Sequence, residues 1–183
     1  MDRQFILIRH SLPHIDTNSP SHTWPLTQEG RDRSVLLAEQ LRPHHLTRLI
    51  TSSESKAQET GHIIAQIVGL PVSIAPGLQE HDRRNVTGLD NTTFRTLVTR
   101  LLASPDELVF GLETGSQVSQ RFTQAIQSSL AQYPHETLGF VTHGTALTLF
   151  IAAHNSINPV NFWQQLALPC YFRLNAATFA LLT

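Results

Sequence analysis

The sequence predicts an α/β fold on a mostly parallel sheet, and three observations carry that expectation. Short runs rich in apolar and β-branched residues, at 5–8, 46–51, 71–74 and 137–142, read as strands buried between layers. Stretches with helical spacing of apolar residues alternate with these runs, and strand–helix–strand order calls for parallel pairing through crossovers. No linker, internal repeat or low-complexity tract interrupts the 183 residues, so a single domain is expected over 1–183.

The elements follow in order. After the first strand comes a polar loop, 11–25, and then Thr27 as the N-cap of a helix reaching about Leu41. Val35, Leu36, Ala38 and Leu41 lie close to one face of it, and Pro43 ends it. The strand at 46–51 leads to Ser52 or Ser53 as the cap of a second helix, with Ala57, Thr60, Ile64, Ile67 and Val68 at helical spacing before Gly69. A short strand at 71–74 gives way to a charged loop, 77–91, and a helix over 91–102. Ser116 is the expected cap of a helix to about Tyr133, with Val118, Phe122, Ala125, Ile126 and Leu130 inward. The strand at 137–142 runs into His143-Gly144 and a helix over 145–154; strands at 171–174 and 178–182 close the chain.

Composition narrows the function. Hydrophobic residues make up 40% of the chain and charged residues 15%, a balance that supports a packed core rather than disorder. Thirteen Lys and Arg against fourteen Asp and Glu leave no basic field, which argues against nucleic acid as a partner. No apolar stretch approaches the roughly 20 residues that a bilayer crossing requires, and the start of the chain does not read as a signal peptide. No membrane partner and a cytoplasmic location are therefore expected. The single cysteine, Cys170, allows no internal disulfide and reads as a small buried apolar residue. Ten histidines are present, but none pairs at a metal-ligand spacing in acidic or cysteine company, so no metal is expected.

Two strands end in histidine, His10 after 5–8 and His143 after 138–141. If they are parallel neighbours, both imidazoles lie at one sheet edge, the edge at which open α/β sheets bind ligands. Lys56, the sole lysine among the thirteen cations, lies in the first turn of a helix leaving the same edge. Arg9 precedes His10, and free amides near Ser52 and Ser53 add anion-binding capacity. One arginine, one lysine and two histidines at a helix start suit a compact dianion, most plausibly phosphate.

The motifs Leu7-Ile8-Arg9-His10, Leu26-Thr27-x-x-Gly30, Ser52-Ser53-x-x-Lys56-Ala57-x-x-Thr60, Leu78-x-Glu80, Gly111-x-Glu113 and Val141-Thr142-His143-Gly144 stand in this order along the chain. In this the sequence resembles the histidine phosphatase superfamily, which includes phosphoglycerate mutases and many small phosphatases. The resemblance implies a three-layer α/β/α sandwich of phosphoglycerate mutase-like type, and a metal-independent phosphatase with no cofactor acting on a small phosphorylated substrate. His10 would be the nucleophile and form a phosphohistidine. Arg9, Lys56, His143 and Ser11 would hold the phosphoryl oxygens, with His143 also serving catalysis. Glu80 would be the proton donor, provided that burial or bound phosphate raises its pKa; His81 and Asp82 are its rivals. Neighbouring cations would keep His10 neutral.

The chain departs from the family pattern at Ser11, where glycine is usual, and at Lys56, where arginine is more common and offers a fork instead of a point charge. Arg83 and Arg84 are candidates for a second anionic group of the substrate, against the alternative of a surface pair. Glu113 would either hydrogen-bond the site or cap the following helix. Two further functions stay open: phosphoglycerate mutase-type phosphoryl transfer, disfavoured by the compact stretch between Glu80 and Glu113, and a non-catalytic phosphate-binding regulatory module.

Overall fold

Alternation along three central strands sets the layers. In the computed structural model, which describes residues 3–182, β1 (Gln4–Arg9) sends Phe5 and Leu7 into one core and Ile6 and Ile8 into another. Strand β2 (Arg48–Thr51) divides Ile50 from Leu49 in the same way, and β4 (Leu138–Thr142) divides Leu138 and Phe140 from Val141. Successive side chains of a strand point to opposite faces, so apolar runs of this kind need a helical layer on each side. One layer is α1 (Gln28–Leu41) and α2 (Ser55–Val68). The other is α3 (Asn91–Ala103), α4 (Gly115–Gln132), α5 (Gly144–His154) and α6 (Pro159–Gln165). The result is a three-layer α/β/α sandwich.

The sheet has the order β3-β2-β4-β1-β5-β6, with β3 at Val72–Ile74, β5 at Cys170–Asn175 and β6 at Leu181–Leu182. Strands β3, β2, β4 and β1 are mutually parallel, whereas β5 and β6 add antiparallel. The expectation of a mostly parallel sheet thus holds, with four of the six described strands in the parallel set, and the antiparallel additions make the sheet mixed. Among the described residues, no helix is long and apolar enough to cross a membrane.

Several local expectations are corrected. On α1 the buried face is Ser34, Leu37, Ala38 and Leu41, while Val35 and Leu36 are 44% and 65% exposed. Gly30 heads the same stripe and lies against the Leu12 backbone, so the face that carries Leu37 and not Leu36 points inward. Helix α4 is capped by Thr114, not Ser116: the Thr114 side chain accepts from Gln117 N and the Gln117 side chain accepts from Thr114 N. Glu54, and neither Ser52 nor Ser53, occupies the N-cap of α2. Helix α6 went unread in the sequence, although Asn158 caps it and Pro159 occupies its first turn.

Phe140 is fully buried and meets Phe5 edge-on at 5.5 Å. Phe140→Ala should lower stability by about 3–5 kcal/mol, whereas Val35→Ala should change it by less than about 0.5 kcal/mol. Urea unfolding midpoints of the two variants provide the comparison.

Candidate active site

Three parallel strands run out at one edge. β1 passes into His10, whose N–H donates to Thr142 O at 2.8 Å. β4 passes into His143, and β2 into Ser52, whose N–H donates to Val141 O at 2.9 Å. The buried imidazoles of His10 and His143 stand 5.1 Å apart between ring centroids. His10 Nδ1 lies 2.7 Å from Ser11 O. A carbonyl can only accept, so Nδ1 carries the proton and Nε2 keeps its lone pair. Ser11 is held in turn by α2: its N–H donates to Thr60 Oγ1 at 3.0 Å, and that hydroxyl donates to Lys56 O at 2.7 Å.

Burial, then the charges of His143, Lys56 and Arg9, hold His10 well below the usual histidine range. The cations that the sequence suggested do contribute, but burial is the larger cause. His143 is held down in the same way, first by burial and then by Lys56, against an opposing pull from Glu80. Its Nε2 pairs with Ser52 Oγ at 2.8 Å. Both rings are thus neutral at neutral pH.

Arg9 anchors away from the two rings through NH1, which donates to Leu166 O at 2.8 Å at the end of α6. Its guanidinium lies across Gly144, where a Cβ would stand 3.0–3.1 Å from Nε, Cζ and NH2. This close approach is the physical reason for glycine after His143. Arg9 Nε, Ser11 Oγ, His143 Nδ1 and Arg83 NH1 are buried without a partner among the described residues. Buried polar groups are nearly always paired, and these four belong to residues at the strand ends and on the Glu80 loop, so they mark a place for a ligand rich in hydrogen-bonding oxygens.

Two carboxylates are buried here. Glu80 accepts from His81 N (2.9 Å), Thr145 N (3.1 Å) and Ala146 N (2.9 Å), so it closes the N-terminus of α5. Burial alone would raise its pKa. Arg83, His143 and the His81 amide outweigh burial and bring it down to about 2. The expectation that burial raises Glu80 is therefore corrected: it is a carboxylate at neutral pH. The second, Glu54, accepts from Lys56 Nζ at 2.6 Å and from Glu80 N at 2.8 Å, and its Oε1 lies 3.7 Å from His143 Nε2. Lys56 also donates to Ser21 O at 2.7 Å.

The loop bearing Glu80 is pinned by a residue that the sequence did not single out. Arg121 on α4 donates to Gly77 O, Gln79 O and Glu80 O, each at 2.8 Å, and forks onto Glu113 at 2.6 and 2.9 Å. Glu113 also accepts from Asp82 N at 2.7 Å, so it orders this loop and does not cap α4. Arg121 lies eight residues beyond Glu113 with no local pattern linking them. Glu54 was missed for a different reason: a carboxylate at a helix start ordinarily reads as a solvated cap.

Arg83 and Arg84 part company. Arg83 stacks over Phe94 at 4.9 Å, with NH1 buried, whereas Arg84 is largely exposed and pairs with Asp82 at 2.8 Å. Of Glu80's rivals, Asp82 is thus taken by Arg84, and buried His81 donates from Nε2 to Glu113 O at 2.9 Å. Glu80 is the carboxylate whose charge pulls the His143 pKa upward. A cleft of about 410 Å³ has both carboxylates, Glu54 and Glu80, in its wall, together with Arg83, Arg121, Ser21 and His22.

Residues 5–177 match the sequence model of the histidine phosphatase superfamily (branch 1). The chain belongs to the histidine phosphatase superfamily. Among curated proteins it is similar to the probable phosphoglycerate mutase GpmB of Cronobacter sakazakii, 29% identical over 70% of this chain and 62% of that protein. GpmB of Yersinia enterocolitica is 27% identical over 74% and 65%. The chain thus spans less than two thirds of the length of these relatives. Its fold is shared by Bacillus stearothermophilus YhfR (TM-score 0.75, 23% identity, covering 98% of this chain and 95% of that one). It is shared equally by a mycobacterial glucosyl-3-phosphoglycerate phosphatase (TM-score 0.74, 17% identity, covering 100% and 97%).

The depressed pKa of Glu80 makes a testable contribution to stability in this histidine phosphatase fold. The carboxylate favours the folded state above its unfolded pKa near 4.5, and that contribution fades as pH falls through about 2. Glu80→Gln should therefore be less stable at pH 7, by up to about 3 kcal/mol. The gap should close as pH drops from about 4.5 toward 2, as read from urea unfolding of both proteins across that range.

Proposed function

We propose that this protein is a metal-independent phosphomonoester phosphatase working through a phosphohistidine on His10. The observation that carries the reading is the buried imidazole pair, with a lone pair on His10 Nε2 and with polar atoms of Arg9, Ser11, Arg83 and His143 buried and unpartnered. In the first half-reaction, Nε2 attacks phosphorus in line as the bond to the leaving oxygen breaks. Arg9, Lys56, His143 and Ser11 hold the non-bridging oxygens, which is most of what phosphoryl transfer asks of a protein. A phosphoryl dianion bound against Glu80 raises its pKa by like-charge repulsion, so the acid form arises with substrate in place and protonates the leaving oxygen. In the second half-reaction the carboxylate takes a proton from water as the water oxygen attacks phosphorus and the N–P bond breaks.

Arg83, held by Phe94 at the cleft, meets the substrate beyond the phosphoryl group and favours substrates with a second anionic group. Arg84, paired to Asp82, plays at most a part at the rim. Phosphoglycerate mutase-type transfer is the second reading, favoured by the relatives named for that activity. It would pass the phosphoryl group from His10 to a second organic hydroxyl in place of water.

The test is turnover of p-nitrophenyl phosphate in the presence of chelator, with acid-labile, base-stable labelling of the protein by a radioactive phosphate donor. The expected result is turnover and label in the wild type and loss of both in a folded His10→Ala variant. No turnover and no label from folded wild-type protein would leave a binding module. Lys56→Arg should stay active, while Lys56→Met should lose roughly 100-fold or more in kcat/KM. Indifference to both would remove Lys56 from the site.

A further inference from the structure

Lys56, the only lysine in the chain, does not stand free for an anion: its ammonium already has a buried counter-charge. Nζ lies 2.6 Å from Glu54 Oε2, with side-chain exposures of 5% and 8%. Glu54 is fixed from its other side by Glu80 N and stands against His143, so it lies inside the phosphate site and not at its rim. A site built for a dianion with a carboxylate clamped on one of its cations is at odds with simple charge complementarity.

We propose that Glu54 is a specificity-determining residue that competes with the phosphoryl group for Lys56 and makes phosphate binding favour acid conditions. The proposal rests on the phosphate-site reading above. An entering dianion has to take the Lys56 ammonium from Glu54. Once it does, Glu54 keeps one backbone N–H donor, from Glu80, and is left buried beside the negative phosphoryl oxygens. Its surroundings are Lys56 on α2, Glu80 and Arg83 on the loop after β3, His143 at the start of α5, and His22 on the wall of the same cleft. Burial opposes its charge, and Lys56 is the largest single force holding it ionised. With Lys56 taken, the protonated form is favoured, so binding draws in a proton and weakens as pH rises. Replacing Lys56 by arginine would supply a second set of donors and lessen the competition. Glu54 and Lys56 thus act as a pair.

The experiment is titration of inorganic phosphate into wild type, Glu54→Gln and Glu54→Leu by calorimetry, from about pH 4 to about pH 8. The ratio of wild-type to variant Kd cancels the titration of phosphate itself. Both variants remove the competing charge, and Gln keeps an acceptor for Glu80 N, so a folding defect in Leu leaves the measurement intact. The expected result is that Glu54→Gln binds phosphate on the order of 10-fold more tightly near pH 8, with the ratio shrinking at the acid end of the range, as pH nears the free-protein value of Glu54, which lies below the usual carboxylate value. A ratio near one throughout, or one that does not change with pH, overturns the role of Glu54 while leaving the phosphate site standing. No phosphate binding by any folded protein at any pH overturns the site reading and this proposal with it.

Discussion

Parallel pairing of β1 with β4, in the register that sets Arg9 opposite Thr142, is the constraint on which the rest of the site depends. With that register, the next residue on each strand is a histidine, and the two rings meet at 5.1 Å. The pairing of Thr51 with Val141 then brings Ser52 to His143 and launches α2 from the same edge, carrying Lys56 and Glu54 inward. A slip of one residue would send Phe140 and Val141 to the wrong cores and separate the rings. Burial of the two apolar layers therefore fixes the chemistry at the strand ends.

The electrostatics follow from that burial. Two imidazoles taken out of water lose their charge, while two carboxylates keep theirs because each has strong partners: Arg83, His143 and the His81 amide for Glu80, the Lys56 ammonium for Glu54. The loop that delivers Glu80 has no regular structure of its own. Arg121 and Glu113 supply it with bonds from the neighbouring helix layer. A loop so pinned can present a carboxylate in one geometry, which a free loop does not.

Period and punctuation made most elements legible: apolar runs bounded by turns for the strands, Thr27 before α1, Gly69 with its positive φ after α2. Failures occurred where a neighbour decides among equivalent local options. Leu36 and Leu37 are equally apolar, and docking of the helix, with Gly30 against the Leu12 backbone and Ala38 and Leu41 in the core, selects the second. Thr114 and Ser116 are both capable caps, and the reciprocal bond with Gln117 selects Thr114. The direction of β5 also depends on its approach to β1 and on nothing in its own residues.

Of the site, Arg9, His10, Lys56, Glu80 and His143 were legible because each stands at a strand end, a helix start or a motif position in the chain itself. Family membership and the α/β order were determined at that level too. Tertiary structure alone separated Arg83 from Arg84, decided between the two roles open to Glu113, and brought in Arg121 and Glu54. It also set charge states: Glu80 ionised and His10 neutral are outcomes of burial weighed against partners distant in sequence. Residue type and spacing are local properties, whereas desolvation and Coulomb energy depend on what the fold places within a few ångströms.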